Sequence, residues 1–97
     1  MDHIVERNGL SFVWDENKAA ANLRNHSISF EDSMAALFDP FFKLVEASRN
    51  DEARDAAIGM DEQFRVLYVV HIEQDGEVIR LISARRATKE EREFYDS

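Results

Sequence analysis

The chain has 97 residues, of which 44% are hydrophobic and 33% charged, and its formal net charge is −8. This composition predicts one folded domain with a modest core and excludes a repeat or low-complexity protein. The absence of cysteine excludes disulfides and thiolate metal sites. The acidic balance argues against general nucleic-acid binding. Because the sequence has no long apolar run, we expect a cytoplasmic protein without a signal peptide or membrane span.

The amino-terminal half is predicted to form one strand and two helices. Residues 12–14 are apolar and aromatic, as is typical of a short strand. Asp15 predicts the N-cap of a helix over about residues 16–26, whose interior is rich in good helix formers. Ser29, followed by an acid three residues later, predicts a second helix that ends before Pro40. We expect this helix to face the core through apolar residues at helical spacing, Phe30, Met34, Leu37 and Phe38.

The carboxy-terminal half is predicted to be mostly strands, over residues 41–46, 56–60, 65–73 and 78–84. Thr88 and Glu91 predict a capping box that opens a last helix through Tyr95. The order strand, two helices, three or four antiparallel strands and helix predicts an α+β domain with the helices packed on one side of the sheet. A domain this small also needs its aromatic residues in the core, which we expect of Trp14, Phe30, Phe38, Phe41 and Phe42.

The two strongest predicted strands are joined by Asp75-Gly76, which predicts a two-residue hairpin turn. That turn would place His71 directly opposite Arg80, with Glu73 nearby. Because side chains alternate across a strand, these residues would share one face of the sheet. The other face is the more apolar of the two and is expected to meet the helices; it carries Val66, Tyr68, Val70, Ile72, Ile79, Leu81, Ser83 and Arg85.

Charge is unevenly distributed along the chain. Residues 1–64 hold 6 basic and 13 acidic side chains, whereas residues 65–97 hold 6 and 7. The basic segment, residues 79–89, contains four basic side chains and no acid. Two of them, Arg85 and Arg86, directly precede the last predicted helix. A local concentration of positive charge next to a helix start predicts an anion-binding site on an otherwise acidic body.

Several motifs together resemble the BrnT family of toxins. They are FVWDENKAAANLRNHSISFEDSMAALFDP, then Glu52, Arg54, Ile58 and Gly59, then VVHIE, and finally IRLISARRATKEEREFY. The resemblance covers roughly residues 12–95, so we divide the chain into an N-terminal extension, residues 1–11, and a single toxin domain, residues 12–97. The sequence differs from the family pattern at Ser27, Asp55 and Gln74.

The resemblance implies a RelE-like fold and a ribonuclease that arrests translation. It also implies that the toxin belongs to a bacterial type II toxin–antitoxin pair, in which a BrnA-type ribbon–helix–helix antitoxin neutralises it. That antitoxin binds the promoter DNA of its own operon, so the toxin would reach DNA only through its partner. We expect a metal-independent endoribonuclease with no cofactor and RNA as its substrate.

The resemblance and the basic segment together indicate the candidate site residues. Guanidinium groups are planar, permanently charged and able to bind phosphate through two hydrogen bonds, while histidine can act as a general acid or base near neutral pH. The candidate catalytic residues are Arg54, His71, Arg80 and Arg85. The candidate substrate-binding residues are Arg86, Lys18 and Tyr95.

Each candidate also has a purely structural interpretation. One of Arg85 and Arg86 could pair with a neighbouring glutamate, and Arg54 could form an exposed ion pair with Glu52. Histidine 71 could belong to a polar cluster across the two strands. A functional alternative also stays open, in which the chain is a catalytically weak or inactive interaction module and serves as the regulatory subunit of a DNA-binding antitoxin complex.

Overall fold

The structure is a computed structural model that describes residues 1–97. It is an α+β fold built from six strands, three α-helices and one 3-10 helix, which confirms the predicted class. The strands are β1 (Asp2–Arg7), β2 (Leu10–Asp15), β3 (Lys43–Glu46), β4 (Asp55–Met60), β5 (Val66–Gln74) and β6 (Val78–Arg86). The α-helices are α1 (Glu16–His26), α2 (Phe30–Ser33) and α3 (Lys89–Asp96), and the 3-10 helix is Met34–Phe38. None of the helices is long and apolar enough to cross a membrane.

All six strands form one mixed sheet in the order β1-β2-β6-β5-β4-β3. Strands β2 and β6 pair in parallel, and every other neighbouring pair is antiparallel. The predicted antiparallel strands after the two helices are confirmed as β3 to β6, but the sheet as a whole is mixed because β2 joins it in parallel. The parallel pair arises because the last strand, β6, lies beside β2 of the first hairpin and runs in the same direction.

The first eleven residues are part of the sheet. Strand β1 and strand β2 form a hairpin around Asn8 and Gly9, both of which have positive φ angles, 51° and 84°. Asn-Gly is a strong signal for such a turn, because both residues adopt positive φ easily. The boundary expected between residues 11 and 12 consequently falls inside β2.

The predicted helix starts are confirmed by their caps. The Asp15 carboxylate accepts a hydrogen bond from the Lys18 N–H at 3.0 Å, and the Ser29 hydroxyl accepts one from the Asp32 N–H at 3.0 Å. The second helix differs from the prediction, because only Phe30–Ser33 is α-helical before the chain tightens into the 3-10 helix. The Ser33 hydroxyl donates to the Phe30 carbonyl at 2.8 Å, and such local bonds compete with regular α-helical bonding.

The core lies between the sheet and the elements α1, α2 and the 3-10 helix. We call the side of the sheet that they cover the helical face. Gly59 of β4 is needed there, because a Cβ at this position would collide with the backbone carbonyl of Ala36. The fully or nearly fully buried residues of this core are Phe12, Trp14, Ile28, Phe30, Met34, Ala36, Leu67, Val69, Leu81 and Ala84.

The helix α3 lies on the opposite side of the sheet, which we call the open face. Tyr68 is paired with Ile58 on one side and Arg85 on the other, so these three side chains share the open face. Arg85 binds Glu91 of α3. The prediction that all helices pack on one side is therefore wrong for α3, because β6 continues to Arg86 and the chain then turns across the far side of the sheet.

The helical and open faces are also reversed relative to the sequence-based assignment. Leu67 and Val69 lie under the helices, whereas Tyr68 and Val70 lie on the open face. The sequence-based assignment chose the face with more apolar residues as the one under the helices. That choice was wrong because the open face is also apolar, and its residues are half-buried. Two aromatic residues expected in the core are also outside it, since Phe41 is 72% exposed and Phe42 is 38% exposed.

A single buried side chain joins α1 to the centre of the sheet. The Asn22 amide donates to the carbonyl oxygens of Ile28 at 2.9 Å and Ala84 at 2.8 Å, and it accepts from the Ala84 N–H at 3.0 Å. Strand β2 pairs with β6 only as far as Arg80. Beyond that point Asn22 takes the place of a neighbouring strand. Its amide satisfies the buried N–H and C=O groups of Ala84, which have no strand partner on this side.

Candidate functional site

The register of the β5–β6 hairpin determines which basic side chains lie on the open face. The loop contains three residues, Asp75, Gly76 and Glu77, and Gln74 pairs with Val78. The predicted two-residue turn is thus one residue too short. As a result, the expected pairing of His71 with Arg80 is wrong: His71 pairs with Leu81, and Arg80 pairs with Ile72.

A β-bulge in β6 then brings two arginines to the same face. Val70 pairs with Ser83 and His71 with Leu81, so Ile82 has no partner in the register. Residues five apart in a regular strand point to opposite faces. The extra residue reverses that relationship, and Arg80 and Arg85 both lie on the open face, roughly 15 Å apart along the strand at about 3.3 Å per residue.

Arg85 is held by three groups. Its guanidinium donates to both carboxylate oxygens of Glu91, at 2.8 and 3.0 Å, and to the Arg86 carbonyl at 3.1 Å. It also lies over the Tyr68 ring, with its central carbon 4.2 Å from the ring centroid. The hydrogen bonds to Glu91 raise the pKa of Arg85, and the same bonds lower the pKa of the Glu91 carboxyl. Arg85 is therefore a fixed, permanently charged group with a flat face.

Arg80 is paired with the first strand of the chain. Its guanidinium donates to the two carboxylate oxygens of Asp2, at 2.8 and 3.5 Å. These hydrogen bonds raise the pKa of Arg80 and lower the pKa of Asp2. Because Asp2 lies on the exposed edge strand β1, this ion pair is screened by water and is weak. A stronger anion could replace the Asp2 carboxylate at this guanidinium.

His71 is buried in the core on the helical face, with 5% of its surface exposed. Its Nδ1 lies 3.1 Å from the carbonyl oxygen of Val69. A carbonyl can only accept, so Nδ1 carries a proton and donates it to Val69. The side chain is thus on the other side of the sheet from Arg80 and Arg85, contrary to the expectation that it lies on the open face.

Arg86 and Lys18 also lie away from the open face. Arg86 still belongs to β6, so its side chain points to the side opposite Arg85. A cavity of about 200 Å³ at this end of the sheet is lined by Phe64, Arg65, Val66, Arg86, Ala87 and Arg92. The two adjacent arginines therefore point to opposite faces of the sheet. Lys18 is exposed in the first turn of α1, on the helical face.

Arg54 lies in the loop between β3 and β4. It is paired with Glu52, whose carboxylate oxygen is 2.6 Å from one guanidinium nitrogen and 2.7 Å from Nε. The two side chains line a polar cavity of about 460 Å³ together with Arg49 and Asn50. This is the exposed ion pair that the structural interpretation predicts, and it is at a different end of the sheet from α3.

Tyr95 lies on α3 and binds Asp39. Its hydroxyl donates to the Asp39 carboxylate at 2.5 Å. Burial, together with this hydrogen bond, raises the pKa of Tyr95 to about 12. Burial also acts to raise the pKa of Asp39, but hydrogen bonds from the Tyr95 hydroxyl and from the N–H groups of Met60 and Phe41 outweigh it and lower that pKa. Tyr95 thus fastens the carboxyl end of α3 to Asp39, which follows the 3-10 helix and also binds Met60 of β4.

The structure brings together Arg80 and Arg85 on the open face and separates them from the other candidates. It adds Tyr68, Asp2 and Glu91, none of which the sequence indicated as site residues. Tyr68 could have been found from strand alternation, since it pairs directly with Arg85. Asp2 gives no such signal, because its contact with Arg80 depends on the parallel pairing of β2 with β6.

This arrangement suits a ligand that carries several anionic groups along a chain. A guanidinium binds a phosphate oxygen at about 2.7–2.9 Å, so two guanidiniums roughly 15 Å apart along a strand cannot contact the same phosphate. They can contact different phosphates of one strand of nucleic acid. The Tyr68 ring beside Arg85 offers an aromatic surface on which a base can stack.

Comparisons with known proteins agree with the motifs. The model of a family described as the ribonuclease toxin, BrnT, of type II toxin–antitoxin systems matches residues 14–91. Among solved structures, the chain is similar to the 1.1 Å crystal structure of the Brucella abortus ribonuclease toxin BrnT, with a TM-score of 0.61 and 27% sequence identity. The match covers 78% of this chain and 94% of that one. No curated protein sequence matched the chain.

Proposed function

This chain belongs to the BrnT family of ribonuclease toxins of type II toxin–antitoxin systems, and from that membership we propose that it is a metal-independent endoribonuclease whose RNA site is the open face of the sheet. Translation arrest by RNA cleavage is the cellular consequence of this proposal. We also assign the fold to the wider RelE-like group as part of the proposal, since α1, α2 and the 3-10 helix cover one side of a single sheet and only α3 lies on the other side.

The observation that carries the proposal is the placement of Arg80 and Arg85 on the same face of the sheet, the open face. Both are permanently charged, and each forms its ion pair with a carboxylate of the same chain, Asp2 or Glu91. A phosphate group presents the same oxygen geometry to a guanidinium as a carboxylate does. The two carboxylates therefore occupy the positions that RNA phosphates would take.

Arg85 is the residue proposed to contact the reacting phosphate. The ribose 2′-oxygen attacks phosphorus and loses its proton, the bond from phosphorus to the 5′-oxygen breaks, and the leaving 5′-oxygen gains a proton. The products are a 2′,3′-cyclic phosphate and a 5′-hydroxyl. Negative charge accumulates on the phosphorane oxygens during this step, and a fixed guanidinium stabilises it. Arg80 binds a second phosphate and orients the strand.

We place His71 outside direct proton transfer, because it is buried on the helical face and donates its Nδ1 proton to Val69. Tyr95 is proposed to position α3, since a phenol whose pKa is raised to about 12 is a poor acid near neutral pH. Arg86, Lys18 and Arg54 remain candidates for outer RNA contacts, because none of their side chains contacts the Arg85 guanidinium.

The affinity of the free chain for RNA is proposed to be weak and strongly dependent on salt. RNA must displace Asp2 and Glu91, and it must approach a chain of net charge −8. Each phosphate contact releases counterions, so the affinity falls as salt concentration rises. Binding that does not change between low and high salt would contradict phosphate contacts as the main attraction.

The proposal is tested by inducing the chain in a bacterial host and by incubating the purified protein with RNA in the presence of EDTA. Wild type is expected to arrest growth and to leave 2′,3′-cyclic phosphate ends, whereas Arg85→Ala is expected to lose at least 100-fold in cleavage rate. Arg24→Ala, which removes an exposed arginine from α1, is the matched control and should cleave like wild type. Unimpaired cleavage by folded Arg85→Ala would contradict the site.

The partner in this proposal is a BrnA-type ribbon–helix–helix antitoxin, through which the complex reaches promoter DNA. One observation also favours the second candidate function, a catalytically weak regulatory subunit of that complex: both open-face arginines are already neutralised within the chain. The two functions differ in one measurement. A regulatory subunit would change the affinity of the antitoxin for promoter DNA and leave growth and total RNA unchanged when it is expressed alone.

A further inference from the structure

The edge of the sheet formed by β3 carries an exposed apolar patch. We call it the β3 patch, and it consists of Phe41, Phe42 and Leu44, whose exposed fractions are 72%, 38% and 55%. Large contiguous patches of exposed apolar side chains are rare on soluble monomers, and they often mark a surface at which another molecule binds. The patch lies outside the proposed RNA site, because Leu44 pairs with Ala57, which aligns with Val69 on the helical face.

Strand β3 has a free edge beside this patch. It is the last strand of the sheet and pairs only with β4. The Ala47 N–H donates to the Arg54 carbonyl at 2.9 Å, and bonded and non-bonded residues alternate in an antiparallel pair. Residues Val45 and Lys43 are therefore the ones that bond to β4. The N–H and C=O groups of Leu44 and Glu46 point outward, where another strand could bind them.

Two carboxylates lie directly opposite each other next to Leu44. Glu46 pairs with Asp55 in the register, and both side chains are exposed. Neither belongs to any ion pair of the chain. Like charges directly opposite each other across two strands destabilise the pair. A basic side chain placed between them would remove this repulsion.

We propose that the β3 edge is the docking site of an extended segment of the antitoxin, which adds a strand to the sheet and carries a basic residue against Glu46 and Asp55. Its apolar side chains cover Leu44 and Phe42, and its backbone bonds to the outward groups of Leu44 and Glu46. This inference rests on the proposed function only for the existence of the antitoxin. The paired carboxylates select a basic partner and reject a second copy of this chain, which would bring the same two acids and a net charge of −8 to the edge.

The test measures the affinity of the antitoxin that accompanies this chain in its host, with the full-length toxin. Leu44→Thr removes the apolar contact and keeps a residue that favours strands. Leu44→Pro removes one outward N–H, which an edge strand tolerates. Glu46→Lys reverses one charge. Each is expected to weaken binding at least tenfold and to leave RNA cleavage by the free toxin unchanged. Leu23→Thr, at a leucine of matched exposure on α1, 52%, should bind like wild type.

The outcomes separate this inference from the proposed function. If the β3 variants bind the antitoxin within twofold of wild type while wild type cleaves RNA, the docking inference fails alone. If wild type binds through β3 and cleaves no RNA, the ribonuclease proposal fails and the docking site stands. A dimer of the isolated chain that Leu44→Thr abolishes would overturn the choice of occupant, because the edge would then be filled by a second copy.

Discussion

Glu91 binds Arg85 with both carboxylate oxygens and caps the helix α3 with one of them. The same Oε1 atom that accepts from Arg85 at 2.8 Å also accepts from the Thr88 N–H at 2.8 Å, while the Glu91 N–H donates to the Thr88 hydroxyl at 3.2 Å. The start of α3 and the orientation of Arg85 are thus coupled through one side chain. Whatever draws Glu91 away from Arg85 also loosens the first turn of the helix.

Replacement of Glu91 by glutamine should separate these two roles. Glu91→Gln keeps an oxygen that can cap α3, but it removes the charge that neutralises Arg85. We expect the affinity for a short RNA to rise several-fold at low salt and the free energy of unfolding to fall by about 1 kcal/mol. Fluorescence anisotropy with labelled RNA and urea unfolding measure the two effects. Glu90→Gln, one residue earlier on the exposed side of α3, should change neither; weaker RNA binding by Glu91→Gln would oppose competition between Glu91 and phosphate.

Acid should destabilise the fold in a defined pH range. The pKa of Glu91 is lowered from 4.5 and that of Asp39 from 3.8, so both contribute stability when ionised. For a lowered pKa, the contribution is complete above the unfolded value and is lost as the pH falls toward the folded value. The free energy of unfolding should therefore stay level above about pH 5 and decrease as the pH falls below 4.5. In Glu91→Gln the decrease should be smaller, and an equal slope in both proteins would argue against the Arg85 pair.

Alkali should act through Tyr95. Because the pKa of this phenol is raised from 10.0 to about 12, the hydrogen bond to Asp39 contributes fully below pH 10 and is lost as the pH rises through 12. Tyr95→Phe should lower the free energy of unfolding by about 1–2 kcal/mol at pH 7, since the bond is made to a charged acceptor. Tyr68→Phe, which keeps the ring under Arg85, is the control. A loss of stability as large in Tyr68→Phe would show that the Asp39 contact is not the cause.

Asn22 is expected to be the most sensitive polar residue of the core. Asn22→Ala would leave the Ala84 N–H and two carbonyl groups buried without partners, and each unsatisfied group costs about 1–3 kcal/mol. We expect a loss of at least about 3 kcal/mol, together with faster amide exchange at Ala84. Asn25→Ala, at an exposed position of the same helix, provides the comparison. Protection of Ala84 that survives in Asn22→Ala would rule out the role of Asn22 as a substitute strand.

Ser27 follows α1 with a φ angle of 59°, in the left-handed region. Glycine adopts this conformation without the strain that a side chain introduces. Ser27→Gly should therefore raise the free energy of unfolding by about 0.5–1 kcal/mol. Ala20→Gly, in the interior of the same helix, should lower it by a similar amount. If Ser27→Gly were destabilising, the helix end would need a contact of the serine side chain.

Local sequence signals predicted most of the fold. Caps at Asp15, Ser29 and Thr88 determine where the helices begin, because they satisfy N–H groups that have no partner within the helix. The pairing of strands that are distant in sequence could not be predicted in the same way. The parallel contact of β2 with β6 depends on which side of the sheet the first hairpin joins, and no local pattern at either strand encodes that choice.

The arrangement of the candidate site residues could be predicted only in part, because it also depends on how the strands pair. The basic segment singled out Arg80 and Arg85, whose role in RNA binding is a proposal, but the prediction of their neighbours required the register of the hairpin. One extra loop residue, Glu77, moved His71 away from Arg80, and one bulged residue, Ile82, moved Arg80 and Arg85 to the same face. Each is a shift of one residue. Because side chains alternate between the two faces of a strand, a shift of one residue moves a side chain to the other face.

The bulge at Ile82 also changes how spacing in such sequences should be compared. A chain without this residue, in which the two arginines are four apart, would present them on one face of a regular strand. A chain that keeps five and pairs without a bulge would present them on opposite faces. Alignment columns alone therefore do not show whether two sequences share this arginine pair: a gap opposite Ile82 preserves the geometry, and an ungapped match preserves it only if the bulge is retained.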